Sequence, residues 1–326
     1  MQKIGTIIAG ACSVESRSQI IKTAIELSFH TEGEIDFLRG GIWKPRTKPN
    51  QFEGLGAPAL AFLKQAGDAI ERPVMTEVAS REHVKQANKA GIDAYWLGAR
   101  STGCPFLIDD IIRELTKNRK KVFVKNPMCG SFDLWSGAIE RLLQADIEVA
   151  AIHRGAFFKF SKYRNLPIWS QALEIREKFD IEVLTDVSHI AGDAEKLKEI
   201  ASISHFLNFD GYMIEAHTNP TEALTDAKQQ IKPEQLTDLL DFSTDQIDSL
   251  RSCIDVYDYF IFSTLEDRQK LASLIIQEKM KRDIDLTDAG REQEVIEALV
   301  ESFEDRELVT NVMKAIFEHS KNQIAV

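Results

Sequence analysis

From residue 6 to about residue 231 the chain alternates short apolar runs with stretches whose apolar residues recur every three or four positions. The runs are TIIAGAC (6–12), IDFLRGG (35–41), PVMTEVA (73–79), AYWLGA (94–99), KVFVKN (121–126), VAAIHR (149–154), EVLTDV (182–187) and GYMIEA (211–216). Between them lie SQIIKTAIELS, APALAFLKQAGDAI, REHVKQANKAG, LIDDIIRELTK, DLWSGAIERLLQ and AEKLKEIASIS, each with a helical period. Strands alternating with helices at this spacing predict parallel β-α units. Eight units in about 230 residues match the number and size of a closed (β/α)8 barrel, a TIM barrel of the α/β class. An open doubly wound sheet is the competing arrangement, and the eightfold count favours the barrel.

The pattern changes after Pro233. Residues 244–326 show no strand period. Ser243-Thr244-Asp245-Gln246 reads as a capping box. Leu250, Ile254, Ile261, Leu265, Ala272 and Ile275 then follow a helical stripe. A break around 283–290 leads to a second helix from about Asp288 and a third from about Asp305. The expected organisation is a barrel over 1–240 and a small all-α three-helix domain over 241–326, joined through 232–243.

Catalytic groups of such a barrel belong at the C-terminal ends of its strands. Those ends carry, in order, Cys12, Arg39 with Lys44 and Arg46, Glu77, Arg100, Lys125, Arg154, His189 and Glu215. The segment LRGGIWKPRT (38–47) packs three cations beside apolar residues, and like charges so close call for an anion between them. Arg39, Lys44, Arg46, Arg100, Lys125 and Arg154 together suffice for two multiply charged anions. Cys12, His189, Glu215 and Asp226 form a mixed set of thiolate, imidazole and carboxylates suited to a divalent transition ion. The residues alone leave a second reading open, in which Cys12 is a buried structural thiol and His189 a core histidine. The G-L-G at 54–56 lacks the rest of a dinucleotide fingerprint.

Composition narrows the partners. The 326 residues are 44% hydrophobic and 28% charged, with a net charge of −11. That balance argues against nucleic acid or an acidic membrane surface as partner, so local cation clusters point to small anions. Cys12, Cys104, Cys129 and Cys253 are scattered without a C-x-x-C, as in a reducing compartment. Residues 1–12 imitate a lipoprotein signal, but the apolar run is short and passes directly into a helical pattern. No stretch approaches the roughly 20 apolar residues of a membrane helix, so the expected location is the cytoplasm.

KPRT (44–47), GAR (98–100), VKNP (124–127), IHRG (152–155), SHIAG (188–192), MIEAH (213–217) and TDAKQQ (225–230) resemble the ordered motifs of 3-deoxy-D-arabino-heptulosonate 7-phosphate (DAHP) synthases. The resemblance spans the barrel and is closest to the compact type I beta branch. It implies a metal-dependent condensation of phosphoenolpyruvate with erythrose 4-phosphate. By that resemblance Arg39 and Lys44 face the phosphoenolpyruvate carboxylate. Arg100, Lys125 and Arg154 hold its phosphate, and Arg46 with Thr47 takes erythrose 4-phosphate. Cys12, His189, Glu215 and Asp226 bind the metal, manganese first, with iron, cobalt or zinc as alternatives. The ion would polarise the aldehyde, and Lys44 is the candidate proton donor, with a purely electrostatic role as the alternative. Two positions depart from the family pattern, where proline is usual: Ala11 before the metal cysteine and Val187 before S-H. Both flank ligands, so ligand orientation or metal affinity is where an effect is expected. The sister family making 3-deoxy-D-manno-octulosonate 8-phosphate lacks KPRT, so Pro45 and Thr47 favour the four-carbon sugar.

In the tail, Arg268 and Lys279 are eleven residues apart and return to within roughly 20° on one helix face, beside Leu265, Ala272 and Ile275. Two cations on a buried face imply an anionic ligand. Arg251 points roughly 100° away from Arg268, which predicts a homodimer whose partner supplies it. LRSCID (250–255), Arg268, Lys279 and DAGRE (288–292) resemble the AroQ class of chorismate mutase over essentially all of 244–326. That resemblance implies rearrangement of chorismate to prephenate. Arg251, Arg268 and Arg291 would bind carboxylates, Lys279 the ether oxygen and Glu292 a hydroxyl, with Asp288 and Gln323 also at the substrate. In the last helix the usual Ser-x-x-x-Gln pair is not met: Ser320 and Gln323 are three apart, and aligning Gln323 puts His319 at the serine position. The expected protein is a bifunctional shikimate-pathway enzyme. The alternative keeps the synthase and makes the tail a regulatory module for chorismate or prephenate. Allosteric feedback through the tail is expected, since no separate regulatory module stands before Met1 or between the domains.

Overall fold

The structure, a computed structural model, describes residues 5–46, 48–159, 161–242 and 247–322. Eight parallel strands close into a barrel, each paired with its neighbours in chain order and the eighth with the first. They are β1 (Thr6–Gly10), β2 (Phe37–Arg39), β3 (Val74–Val78), β4 (Ala94–Leu97), β5 (Val122–Lys125), β6 (Val149–His153), β7 (Val183–Asp186) and β8 (Gly211–Glu215). Each lies inside one of the eight apolar runs. The runs overshoot because their last residues leave the ladder to form the site.

The helices around the strands are α1 (Arg17–His30), α2 (Ala59–Ala69), α3 (Arg81–Lys89), α4 (Ala99–Thr102), α5 (Pro105–Leu115), α6 (Phe132–Gln144), α7 (Trp169–Phe179), α8 (Val187–Ala191), α9 (Leu197–Phe206) and α10 (Leu236–Leu239). Serine hydroxyls at 16, 80 and 131 accept the orphan amides of Gln19, His83 and Leu134, which fixes where α1, α3 and α6 begin. Ile8, Met75, Trp96, Phe123, Ile152, Leu184 and Met213 fill the barrel interior, with Phe37 packed against them. Side chains on a strand alternate between faces. The residues two further on therefore share the inward face: Arg39, Glu77, Lys125, Arg154, Asp186 and Glu215. An apolar plug thus lies directly beneath a layer of charge. The out-of-phase His153 is stacked near Trp135 of α6 and tilted against Trp169 of α7, behind the barrel wall.

The chain divides into two compact units, 1–256 and 257–326. A 35-residue helix, α11 (Ile247–Lys281), begins in the first unit, where Cys253 and Val256 are buried and Trp169 Nε1 lies 3.4 Å from Cys253 Sγ. The second unit continues α11 and adds α12 (Ala289–Ser302) and α13 (Arg306–Asn322). Asp288 caps α12 through the Arg291 amide, and Asp305 accepts from Leu308 N at the start of α13, as the two expected helix starts require. The capping box at 243–246 lies outside the described residues.

One expectation about the tail is corrected. Ile254, Ile261 and Ile275 of the anticipated stripe are 60%, 49% and 59% exposed. Leu250, Leu265 and Ala272 of that stripe are half-covered, and Arg268, Ile276 and Lys279 share a helix face with Leu265 and Ala272. Tyr259, Phe262, Leu271 and Leu274 also face solvent. With apolar residues around its whole circumference, this helix has no period that selects one face. Arg268 and Lys279 are therefore half-buried rather than set on a buried face. No helix of the described residues is long and apolar enough to cross a membrane.

Candidate active site and metal centre

Above the apolar plug opens a cavity of about 380 Å³. Lys44, Arg46, Arg100, Lys125 and Arg154 line it, joined by Lys48 and Arg164, which sequence reasoning did not single out. Glu77, His189 and Asp226 are the titratable groups among them that can offset this charge. Gly98 belongs to this wall for a steric reason: a Cβ there would stand 2.1 Å from Glu77 Oε1. That leaves the Glu77 carboxylate free to accept from Trp96 Nε1 at 3.1 Å.

Arg39 sits under the cavity, 1% exposed, with Nη2 3.0 Å from Glu215 Oε1 and its guanidinium 4.9 Å from the Trp96 ring centre. Its Nε and Nη1 are buried without a hydrogen-bond partner among the described residues. A buried guanidinium with two unused donors is set up to accept a planar anion. Lys125 Nζ lies 2.6 Å from Asp186 Oδ2. Arg154 is held by its backbone, its amide donating to Asn126 Oδ1 at 2.7 Å and its Nη1 to the Gly155 carbonyl at 3.0 Å. Burial pushes the Arg154 guanidinium down to about 10 against the opposing pull of Asp186. It remains cationic at neutral pH. Thr47 lies outside the described residues.

The second expected group also converges. Donor atoms of Cys12, Glu215 and Asp226 lie within 4.8 Å of one another. Cys12 Sγ is 3.5 Å from Asp226 Oδ2. His189 adjoins this trio, with Nε2 3.9 Å from Asp226 Oδ2 and Nδ1 3.8 Å from Glu215 Oε1. Its Nδ1 also sits 2.9 Å from Asp186 Oδ2. Asp186 also caps α8, accepting from His189 N at 3.0 Å, so one carboxylate sets both the turn and the ring. With Nδ1–H given to Asp186, Nε2 keeps a lone pair for an ion. Val187 occupies the first turn of α8, a position where proline is favoured because its amide has no helical partner. The Asp186 cap anchors that turn in proline's absence. Ala11 is fully buried.

The electrostatics suit a cation. Burial, reinforced by Glu215, pushes the Cys12 thiol up to about 12 despite Lys44, whose Nζ lies 3.1 Å from Sγ. Burial also favours the neutral forms of Asp186, Glu215 and Asp226. His189 leads the groups that overcome it and hold all three below the usual carboxylate range, helped by Lys125 at Asp186, Arg39 at Glu215 and Arg164 at Asp226. A thiol, an imidazole and two ionised carboxylates converging below a cation-lined cavity fit a divalent transition ion.

The loops that carry these groups are tied to one another. Cys12 N donates to Gln230 Oε1 at 3.0 Å, and Ser13 Oγ lies 2.7 Å from Thr225 Oγ1. Glu15 accepts from Leu224 N at 2.8 Å, and its carboxylate lies 3.6 Å from His217. Sequence reasoning missed Arg164, Asp186 and Gln229 as site residues. Asp186 was recoverable, since it is in phase with the other inward strand ends. Arg164 stands in an irregular segment between β6 and α7, where no period marks it.

In the 257–326 unit, Arg268 Nη1 lies 3.2 Å from Ser320 Oγ, with its guanidinium 5.4 Å from the Phe317 ring centre. Ser320 Oγ also lies 3.0 Å from Gln269 Oε1, so Ser320 meets Arg268 in this fold. Glu292 pairs with Lys321 at 2.7 Å and lines a cavity of about 260 Å³ between α12 and α13. Lys279 Nζ is 3.4 Å from the Leu286 carbonyl. Arg291 is exposed and pairs with Glu294 on its own helix. In the other unit Arg251 is likewise exposed, paired with Asp248. Gln323 lies outside the described residues.

Comparisons with known proteins follow the same division. A model of the DAHP synthetase I family matches residues 3–251, and one of chorismate mutase type II matches 250–324. The chain is similar to the phospho-2-dehydro-3-deoxyheptonate aldolase of Thermotoga maritima, 28% identical over 239 residues, 72% of this chain and 68% of that one. It is also similar to the 2-dehydro-3-deoxyphosphooctonate aldolase of Campylobacter jejuni, 26% identical over 254 residues, 71% of this chain and 92% of that one. The crystal structure of the Thermotoga maritima phospho-2-dehydro-3-deoxyheptonate aldolase (DAHP synthase) superposes with a TM-score of 0.67 at 26% identity. The superposition covers 78% of this chain and 72% of that one.

Proposed function

The chain belongs to the DAHP synthetase I family and continues into a chorismate mutase type II segment, and from that premise we propose a metal-dependent synthase of DAHP fused to an active chorismate mutase. The synthase domain is assigned to 1–240 and the mutase domain to 241–326. The observation that carries the synthase reading is the cluster of Cys12, Glu215 and Asp226, with His189 beside it, at the floor of a cavity lined by cations. Cys12, His189, Glu215 and Asp226 would hold a divalent ion, manganese first. Bound there, the ion supplies Lewis-acid polarisation of the aldehyde oxygen.

The chain's own residues do the rest. The unused Nε and Nη1 donors of Arg39 take the phosphoenolpyruvate carboxylate, with Lys44 beside it. Lys125, Arg154 and Arg100 hold its phosphate. Arg46 and Thr47 take the phosphate of erythrose 4-phosphate, the choice of a four-carbon sugar resting on K-P-R-T. Two substrates that repel each other are thereby held in a reactive alignment. A bond forms between the methylene carbon and the aldehyde carbon. Water adds to the carbon bearing the phosphate, which departs as inorganic phosphate, and Lys44 protonates the oxygen that becomes the new hydroxyl.

For the mutase, Arg268 and Arg291, with Arg251 of a partner subunit, hold the two carboxylates. Lys279 bonds the ether oxygen, and Glu292 a hydroxyl, with Asp288 and Gln323 also at the substrate. The homodimer is supported by the large apolar residues that α11 exposes, among them Tyr259, Phe262, Leu271, Leu274 and Ile275. Sedimentation should give twice the chain mass of 36.8 kDa, and a monomer at micromolar concentration would defeat this arrangement.

One preparation assayed for both reactions tests the reading. Chelation should abolish condensation, manganese should restore it, and chorismate turnover should be unchanged by either. Binding of chorismate or prephenate without turnover would make the helical segment a sensor. Chelator-resistant condensation would remove the metal from the proposal.

A further inference from the structure

We propose that Arg164 is a positioning residue of the metal centre, fixing the outward oxygens of Asp226 and, through Gln229, of Glu215, so that their inward oxygens face the ion. This rests on the reading of Cys12, His189, Glu215 and Asp226 as ligands. Arg164 Nη1 lies 3.2 Å from Asp226 Oδ1 and also bonds Gln229 Oε1. Gln229 Nε2 in turn donates to Glu215 Oε2 at 2.7 Å. The other oxygen of each carboxylate faces the cluster: Asp226 Oδ2 is 3.5 Å from Cys12 Sγ, and Glu215 Oε1 is 3.8 Å from His189 Nδ1. One guanidinium thus ties down, directly or through Gln229, the outward oxygen of each ligand, while the cluster-side Glu215 Oε1 also takes Arg39 Nη2 at 3.0 Å. Asp226 needs such a hold, because its φ of 48° is a left-handed conformation that disfavours a residue with a Cβ.

The same segment also reaches a third ligand. Arg164 N and Asn165 N donate to the carbonyls of Ala191 and Ile190, and Asn165 Nδ2 donates to that of His189 at 2.6 Å. Gly192 makes room for this contact. Its φ is 71°, and a Cβ there would stand 2.3 Å from Arg164 Cβ. Arg164 and Asn165 therefore bridge the loop after β6 to the ligands delivered by β7, β8 and the loop after β8. Both bonds leave Nη1, one atom further from the backbone than the nitrogen of a lysine would stand.

Two other roles for Arg164 give different results. A cation that acts only by its charge repels a dication, so its removal would tighten metal binding. A cation that only anchors substrate phosphate would leave metal affinity unchanged and raise KM. The test titrates full-length, metal-free protein with Mn²⁺, reading the free ion by electron paramagnetic resonance. Wild type should bind one ion per chain, and Cys12→Ala none. Arg164→Ala should bind about 10–100-fold more weakly, as expected when a partner that orients a ligand is lost. Gln229→Ala should also weaken binding, and the double variant should lose less than the sum of the two, because both belong to one chain of bonds. Should Arg164→Ala not fold, Arg164→Lys keeps the charge on a side chain one atom shorter. It should still bind weakly and should shift the visible bands of the cobalt-loaded protein, a readout that a remote structural role would not move. Wild-type or tighter affinity in both Arg164 variants, with Cys12→Ala still failing to bind, overturns this inference and leaves the ligand reading intact. If wild type binds no Mn²⁺, or Cys12→Ala binds it normally, the ligand reading falls and this inference with it.

Discussion

Cys12→Ala should lose condensation by about a thousandfold or more while chorismate turnover and the fold persist. The magnitude follows from withdrawing several kcal/mol of Lewis-acid stabilisation, at roughly 1.4 kcal/mol per tenfold in rate. The substitution is well suited to isolating this effect. Cys12 is fully buried, and its thiol contacts Lys44 and Asp226. Alanine removes one sulfur atom and leaves the backbone bond from Cys12 N to Gln230 in place. Manganese content by elemental analysis and steady-state rates for both reactions are the measurements. A variant that keeps one ion per chain and its synthase rate would show that the thiol is structural.

Arg39→Ala should have the next largest effect, and it should appear in stability as well as in rate. The guanidinium is the partner of a fully buried carboxylate, Glu215, at 3.0 Å. Removing one member of a buried pair strands the other, at a cost of about 3–5 kcal/mol. A bound dication would compensate much of that stranded charge, so the metal-free variant should melt well below the metal-loaded one, with a gap wider than in wild type. Condensation should fall by about a hundredfold to a thousandfold, with KM for phosphoenolpyruvate raised, because two charge-assisted bonds to its carboxylate are lost. Arg39→Lys should recover part of the stability and little of the rate, since an ammonium lacks the planar fork. Equal melting shifts with and without manganese would place Arg39 away from the ion. An unchanged KM would remove it from the carboxylate.

Much of the barrel half was legible in the sequence. Eight apolar runs announced eight strands, and the residues at their ends proved to share one cavity or its floor. Both follow from local rules, the period of two along a strand and the closure of eight parallel strands. Cys12, His189 and Glu215 were nameable as candidates because each lies at or just beyond a strand end, whereas Asp226, well past β8, and the reading of all four as one set came from the resemblance carried by TDAKQQ and its companion motifs. Arg164 was not, for it sits in an irregular segment and its significance comes from contacts 62 and 65 positions away, at Asp226 and Gln229.

The tail shows the opposite balance. Its helix breaks were readable from Asp288 and Asp305, whose side chains accept the first free amides of α12 and α13. Its covered face was readable only in part, at Leu250, Leu265 and Ala272, because α11 carries large apolar residues on several sides and a period cannot choose among them. By its own order of residues, then, this protein determined where strands and helices begin and which side chains end up at one mouth of the barrel. Only the folded chain decided which oxygen of each carboxylate turns inward, which cation holds it there and which side of the long helix stays open. Those choices depend on contacts between segments far apart in the chain, and no local pattern encodes a distance across a barrel.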